Sequence, residues 1–105
     1  MQYRIGIDAG GTKVAYGLFD EHNTLLARFQ HPTPIDADGP AFCDLVIRSL
    51  RQLLQDSGVR MDELQGIGVC MPSFILFDQG YVCMTSAMVN IRDFAMRDYL
   101  QERLN

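Results

Sequence analysis

The chain has 105 residues, the size of one domain. At 48% hydrophobic residues it has enough apolar material for a core, which argues against wholesale disorder. Its formal net charge of −4 argues against a nucleic-acid or anionic-membrane surface, since both need clustered Lys and Arg.

In chain order, Tyr3 to Ile7 is rich in branched residues and reads as a strand. Val14 to Phe19 reads as a second strand and Leu25 to His31 as a third, with Asp20-Glu21-His22-Asn23 as the turn between them. The start is therefore an expected antiparallel meander. A breaker-rich loop follows from His31 to Gly39, and Pro40 suits the first turn of a helix. Phe42, Leu45, Val46, Leu50, Leu53 and Leu54 recur at helical spacing, and Gly58 is a stop. Gln65 to Met71 reads as a short buried strand broken by Pro72-Ser73. Asp78-Gln79-Gly80 is a turn, Tyr81 to Met84 another short strand, and a last helix is expected from Arg92 or Asp93 to Leu104. Phe94, Tyr99, Leu100 and Leu104 would share one of its faces.

The three cysteines, Cys43, Cys70 and Cys83, form no C-x-x-C pair and read as small buried residues in a reducing cytosol. No apolar run approaches the ~20 residues of a membrane span, and Met1 leads directly into strand pattern without a signal peptide. A cytoplasmic protein without a membrane partner is expected.

One hexad carries chemistry: Asp8-Ala9-Gly10-Gly11-Thr12-Lys13, between the first two strands. A phosphate cradle needs close backbone approach, exposed N–H groups, a hydroxyl and positive charge, with a carboxylate nearby for a magnesium ion. Gly10, Gly11, Thr12, Lys13 and Asp8 supply each part. A plain hairpin turn uses similar residues, because glycine pairs are favoured there. Asp8 adds slight weight to the cradle without displacing the hairpin reading, since it sits at a strand end directly after Ile5-Gly6-Ile7. The Walker-type loop does not fit: no Gly-Lys-Thr ending and no following helix are present.

The stretch IGIDAGGTKVAYGLFD resembles the first phosphate motif of the ROK family (repressors, open reading frames and sugar kinases), within the actin-like, hexokinase-like ATPases. Pro32-Thr33-Pro34 after the third strand, GIGVCMP, and DQGYV followed by DFAMRDYLQERLN extend the resemblance over nearly all of the chain. It implies an α/β fold: the ribonuclease H-like, actin-like ATPase N-terminal domain, with a mixed sheet that starts with a three-stranded antiparallel meander. Residues 1–105 would be the N-terminal lobe of a larger two-lobe protein. It also implies ATP and Mg2+ as cofactors, with Asp8 organising the metal and Gly10, Gly11, Thr12 and Lys13 lining the phosphate path. A sugar, a hexose or N-acetylhexosamine, would face Pro72, Ser73, Thr85, Ser86 and Asn90. Here Ser73 stands in place of the family's usual glycine, and TSAMVN lacks its usual pair of asparagines. Loop and cap duties are an equal alternative for Thr85, Ser86 and Asn90.

The family's catalytic Asp would lie beyond Asn105, and neither His22 nor His31 sits in a motif that replaces the later zinc site. The resemblance therefore implies the N-terminal domain of an ATP-dependent sugar kinase, inactive when isolated and self-associating as a homo-oligomer. Two alternatives stand beside it: the sugar-sensing domain of a ROK-type transcriptional regulator, and a non-catalytic nucleotide-binding module.

Overall fold

The computed structural model describes residues 2–104. Three strands open the chain: β1 (Tyr3–Ala9), β2 (Lys13–Phe19) and β3 (Leu25–Pro32). They form the expected antiparallel meander, with Ile7 opposite Tyr16 and Tyr16 opposite Phe29. Helix α1 (Gly39–Ser57) then returns the chain to the far side of β1, where β4 (Leu64–Cys70) pairs in parallel. The sheet order is β3-β2-β1-β4.

Local chemistry sets the ends of α1. The Asp38 carboxylate accepts from the Ala41 N–H at 2.9 Å, and Pro40 occupies the first turn. Gly58 ends the helix at φ 70°, a left-handed conformation that costs glycine least, and the Val59 N–H donates to Leu54 O. The face carrying Phe42, Cys43, Val46, Leu50, Leu53 and Leu54 is buried against Ile5, Ile7, Val14, Tyr16 and Leu18. These strand residues alternate along β1 and β2, so one face of the sheet is core and the other is bare.

The bare face explains a correction. The expected buried strand, Gln65 to Met71, is the edge strand β4 in which no residue from Leu64 to Cys70 is buried, and only Met71, just past its end, enters the core. Its apolar residues Ile67 and Val69 turn partly toward the core, while Gly66, Gly68 and Cys70 face solvent. The cysteines differ accordingly: Cys43 is buried in α1, Cys83 is half-buried, and Cys70 is exposed.

A second antiparallel sheet, β5 (Ser73–Leu76), β6 (Tyr81–Thr85) and β7 (Arg92–Phe94), precedes helix α2 (Met96–Leu104). β5 and β7 are additions to the sequence reading. The final helix starts at Met96 because Arg92 and Phe94 instead pair with Met84 and Val82 across β6, and Asp93 between them adopts φ 48°. Phe94 is therefore a strand residue, yet it still meets Tyr99, with ring centroids 5.4 Å apart. Glycine at position 39 makes room for it, since a Cβ there would lie 2.6 Å from the Phe94 ring. The Tyr99 hydroxyl donates to the Asp44 carboxylate at 2.8 Å and ties α2 to α1.

Candidate phosphate and sugar site

β1 and β4 run parallel, with Asp8 beside Cys70, so the segments that follow them leave the same edge of the sheet. In open α/β sheets that carboxyl edge is where ligands bind. After β1 comes the Gly10-Gly11-Thr12 turn, and after β4 come Pro72 and Ser73.

The turn joins antiparallel strands, as expected, and Gly10 N–H donates to Lys13 O at 2.9 Å. Neither glycine has a positive φ. Conformation therefore does not demand glycine here. At Gly11 packing does not demand it either, because a Cβ would meet nothing within 4 Å. What the missing side chain leaves is bare backbone open to close approach. The N–H groups of Gly11 and Thr12 have no hydrogen-bond partner among the described residues. Gly11, Thr12 and Lys13 are all exposed.

The carbonyls of the turn are engaged. Thr33 donates its hydroxyl to Gly10 O at 2.7 Å and its N–H to Thr12 O at 3.0 Å. The strand leading to Thr33 is itself anchored. His31 Nδ1 donates to Pro32 O at 2.8 Å, which leaves Nε2 to accept from the Tyr16 hydroxyl, also at 2.8 Å. Burial pushes the Tyr16 phenol up to about 12, so it is a proton donor throughout the neutral range.

Asp8 is exposed on the bare face, one residue from the end of β1. With Lys13, Gly6, Gly17, Gly68 and Cys70 it lines an open concavity of about 1120 Å3. No three His, Cys, Asp or Glu side chains among the described residues converge on a metal position. A lone carboxylate does suit magnesium, which keeps most of its waters and takes further oxygens from phosphates.

Four of the five sequence-derived sugar residues lie together, since Ser73 is opposite Thr85 across β5 and β6, with Pro72 and Ser86 beside them. The Ser86 N–H donates to Pro72 O at 3.2 Å, and the Ser73 hydroxyl donates to Met71 O at 3.0 Å. Ser86 and Pro72 are exposed. Thr85 is buried, and its hydroxyl both donates to Met88 O at 2.8 Å and accepts from Met88 N–H at 3.0 Å. It holds the turn after β6 and offers nothing outward. Asn90 is exposed and donates its amide to Asp36 O at 2.9 Å, joining two loops. Sequence reasoning missed the contact made by Thr33. The signal was a polar residue between two prolines at a strand end.

Comparison with known proteins finds a family match and relatives along nearly all of the chain. The ROK family profile covers residues 4–105. A glucokinase from Halalkalibacterium halodurans is 25% identical over 101 residues, covering 96% of this chain and 30% of that enzyme. The chain thus spans under a third of the length of that relative. An inorganic polyphosphate/ATP-glucomannokinase from Arthrobacter sp. strain KM superposes with a TM-score of 0.77 at 26% identity, over 99% of this chain and 41% of that one. A ROK glucokinase from Streptomyces griseus, solved with glucose and AMPPNP, gives a TM-score of 0.78 at 23% identity, covering 96% of this chain and 30% of that one. A ROK transcriptional regulator, a homolog of the E. coli MLC protein, gives 0.80 at 12% identity, covering 96% and 25%. The fold is that of the actin-like ATPases, and the chain belongs to the ROK family.

Proposed function

We propose that residues 1–105 are the N-terminal lobe of an ATP-dependent sugar kinase that transfers the γ-phosphate of ATP to a sugar hydroxyl. The observation that carries this reading is the Gly10–Thr12 turn: two unpartnered N–H groups, bare backbone at Gly11, and Lys13 beside them. Such a turn suits an anion of phosphate type. Gly10, Gly11, Thr12 and Lys13 bind phosphate oxygens, and Asp8 holds magnesium through water or directly. Bound Mg2+ supplies positive charge to neutralise the phosphates. Pro72, Ser73 and Ser86 face the sugar from the adjoining loop. The sugar is a hexose or an N-acetylhexosamine.

The general base lies outside these residues. Phosphoryl transfer needs a carboxylate within hydrogen-bond reach of the sugar hydroxyl, and Asp8 is committed to the phosphate side. Without that base, and without an opposing lobe to bury adenine, the chain alone is inactive and binds ATP weakly. Loss of a general base alone typically slows turnover by ~10²–10⁴.

The kinase reading is favoured over a sugar-responsive regulator because the relatives at 25% and 26% identity are kinases. The regulator's likeness, at 12% identity, speaks to fold alone. Amide-resolved NMR titration with MgATP at millimolar concentration tests the site. Shifts centred on Gly11, Thr12 and Lys13, reduced in Asp8→Asn only when magnesium is present, are expected. Unmoved resonances at the turn would return the hexad to an ordinary hairpin.

A further inference from the structure

We infer that Thr33 is the positioning residue of the phosphate turn, an inference that rests on the site reading above. It is one of few buried polar residues among those described, only 9% exposed, so its polar groups must find partners inside the protein. They find them in two carbonyls of a single turn, 2.7 Å from its hydroxyl at Gly10 and 3.0 Å from its N–H at Thr12. Holding these carbonyls against the end of β3 leaves the Gly11 and Thr12 N–H groups as the unpaired polarity of the turn.

The flanking prolines make this arrangement specific. Pro32 and Pro34 have no N–H and a fixed φ, so Thr33 carries the one backbone donor in the tripeptide, on a stiff support. Pro32 lies opposite Lys13 in the β2–β3 register, and its carbonyl is held by His31. The anchor therefore runs from Tyr16 and His31 through Pro32 to Thr33 and the turn. The turn's shape depends on this cross-strand clamp, because its glycines sit in ordinary negative-φ backbone and impose no shape of their own. Thr33 touches the turn, not the ligand. It preorganises the donors, so that binding need not order them.

Thr33→Val keeps the β-branched shape and deletes the hydroxyl, while Thr33→Ser keeps the donor. In the ligand-free chain, the Gly11 and Thr12 amide resonances of Thr33→Val should move, and those of Thr33→Ser should stay near wild type. With inorganic tripolyphosphate and Mg2+ as the probe, Thr33→Val should bind about tenfold more weakly, as expected for one lost hydrogen bond. Thr33→Ser should restore affinity to within about twofold, a rescue that a packing role for the methyl group would not give. If Thr33→Val does not fold, amide exchange in the wild type decides: a protected Thr33 N–H beside fast Gly11 and Thr12 amides supports the clamp, and a fast Thr33 amide overturns it. A wild type that responds to the probe and is matched by Thr33→Val would overturn the positioning role. A wild type that does not respond, but whose turn moves in Thr33→Val, would overturn the phosphate reading and leave the clamp as a purely structural one.

Discussion

Asp8 and Cys70 are direct neighbours across the parallel β1–β4 pair, both exposed on the bare face of the sheet. The thiol therefore reports on the carboxylate's surroundings. Iodoacetamide, followed by mass spectrometry, should modify Cys70 first, Cys83 more slowly and Cys43 last, in the order of their exposure. A bulky maleimide on Cys70 should lower the response of the Gly10–Thr12 turn to MgATP, with Cys70→Ala as the unmodifiable control. Cys43 reacting as fast as Cys70 would contradict the burial pattern.

The link between the two helices has a measurable worth. Tyr99→Phe removes the donor to Asp44 and leaves that carboxylate half-buried without its partner. A lower urea midpoint is expected, since the acceptor is charged. The Arg103 guanidinium, 3.4 Å from the centre of the Tyr99 ring, should remain stacked in the variant. An unchanged midpoint would mean that α2 is not held by this bond.

Alkaline pH should destabilise the fold through Cys43. Burial, helped by the nearby Asp44 charge and opposed by Arg103, pushes this thiol from 9.0 up to about 12. The unfolded chain releases the proton above pH 9, while the folded chain keeps it. The contribution is therefore complete below pH 9 and is lost as pH rises from 9 toward 12, by at most about 1.4 kcal/mol per pH unit. Urea midpoints for wild type and Cys43→Ala should converge between pH 8 and 10. A constant gap would show that the thiol ionises equally in both states.

Most of the first sheet was legible because its signals are local. Ile5, Ile7, Val14, Tyr16 and Leu18 alternate, and the Phe42–Leu54 face has a helical period with Asp38, Pro40 and Gly58 marking its ends. β5 and β7 were not legible. Ser73–Leu76 is apolar without alternation, and Arg92–Phe94 is a three-residue strand whose existence depends on β6. β4 reads as buried from its composition, yet its position at a sheet edge exposes it. At the site, residue types announced a glycine turn between antiparallel strands with Asp8 near the end of the first. The Thr33 bonds and the inward turn of Thr85 depend on tertiary pairing, which no spacing along the chain reveals.

The edge at β5 carries an exposed apolar run, Phe74-Ile75-Leu76-Phe77, with Phe74 65% and Phe77 87% exposed and no charge between Pro72 and Phe77. Such an edge invites pairing with a second copy. With aromatic side chains covering ~150–250 Å2 each, the four phenylalanines of a two-fold pair would bury roughly 600–1,000 Å2, so Ile75, Leu76 and the strand backbone must supply the rest of the ~1,200 Å2 that a specific interface needs. Light scattering should show concentration-dependent dimers that Phe77→Lys disperses. A monomeric wild type at millimolar concentration would contradict this.

The claim that this chain is one lobe of a sugar kinase is tested most directly by coupled ADP release, across a panel of hexoses and N-acetylhexosamines. The assay compares the 105-residue chain with a longer polypeptide that carries it ahead of a second lobe. Sugar-dependent turnover by the longer polypeptide is expected, slowed at least ~10²-fold by Asp8→Asn through loss of charge neutralisation. No turnover is expected from the chain alone. Turnover by the pure chain, or a longer polypeptide indifferent to every sugar and to Asp8→Asn, would contradict the account.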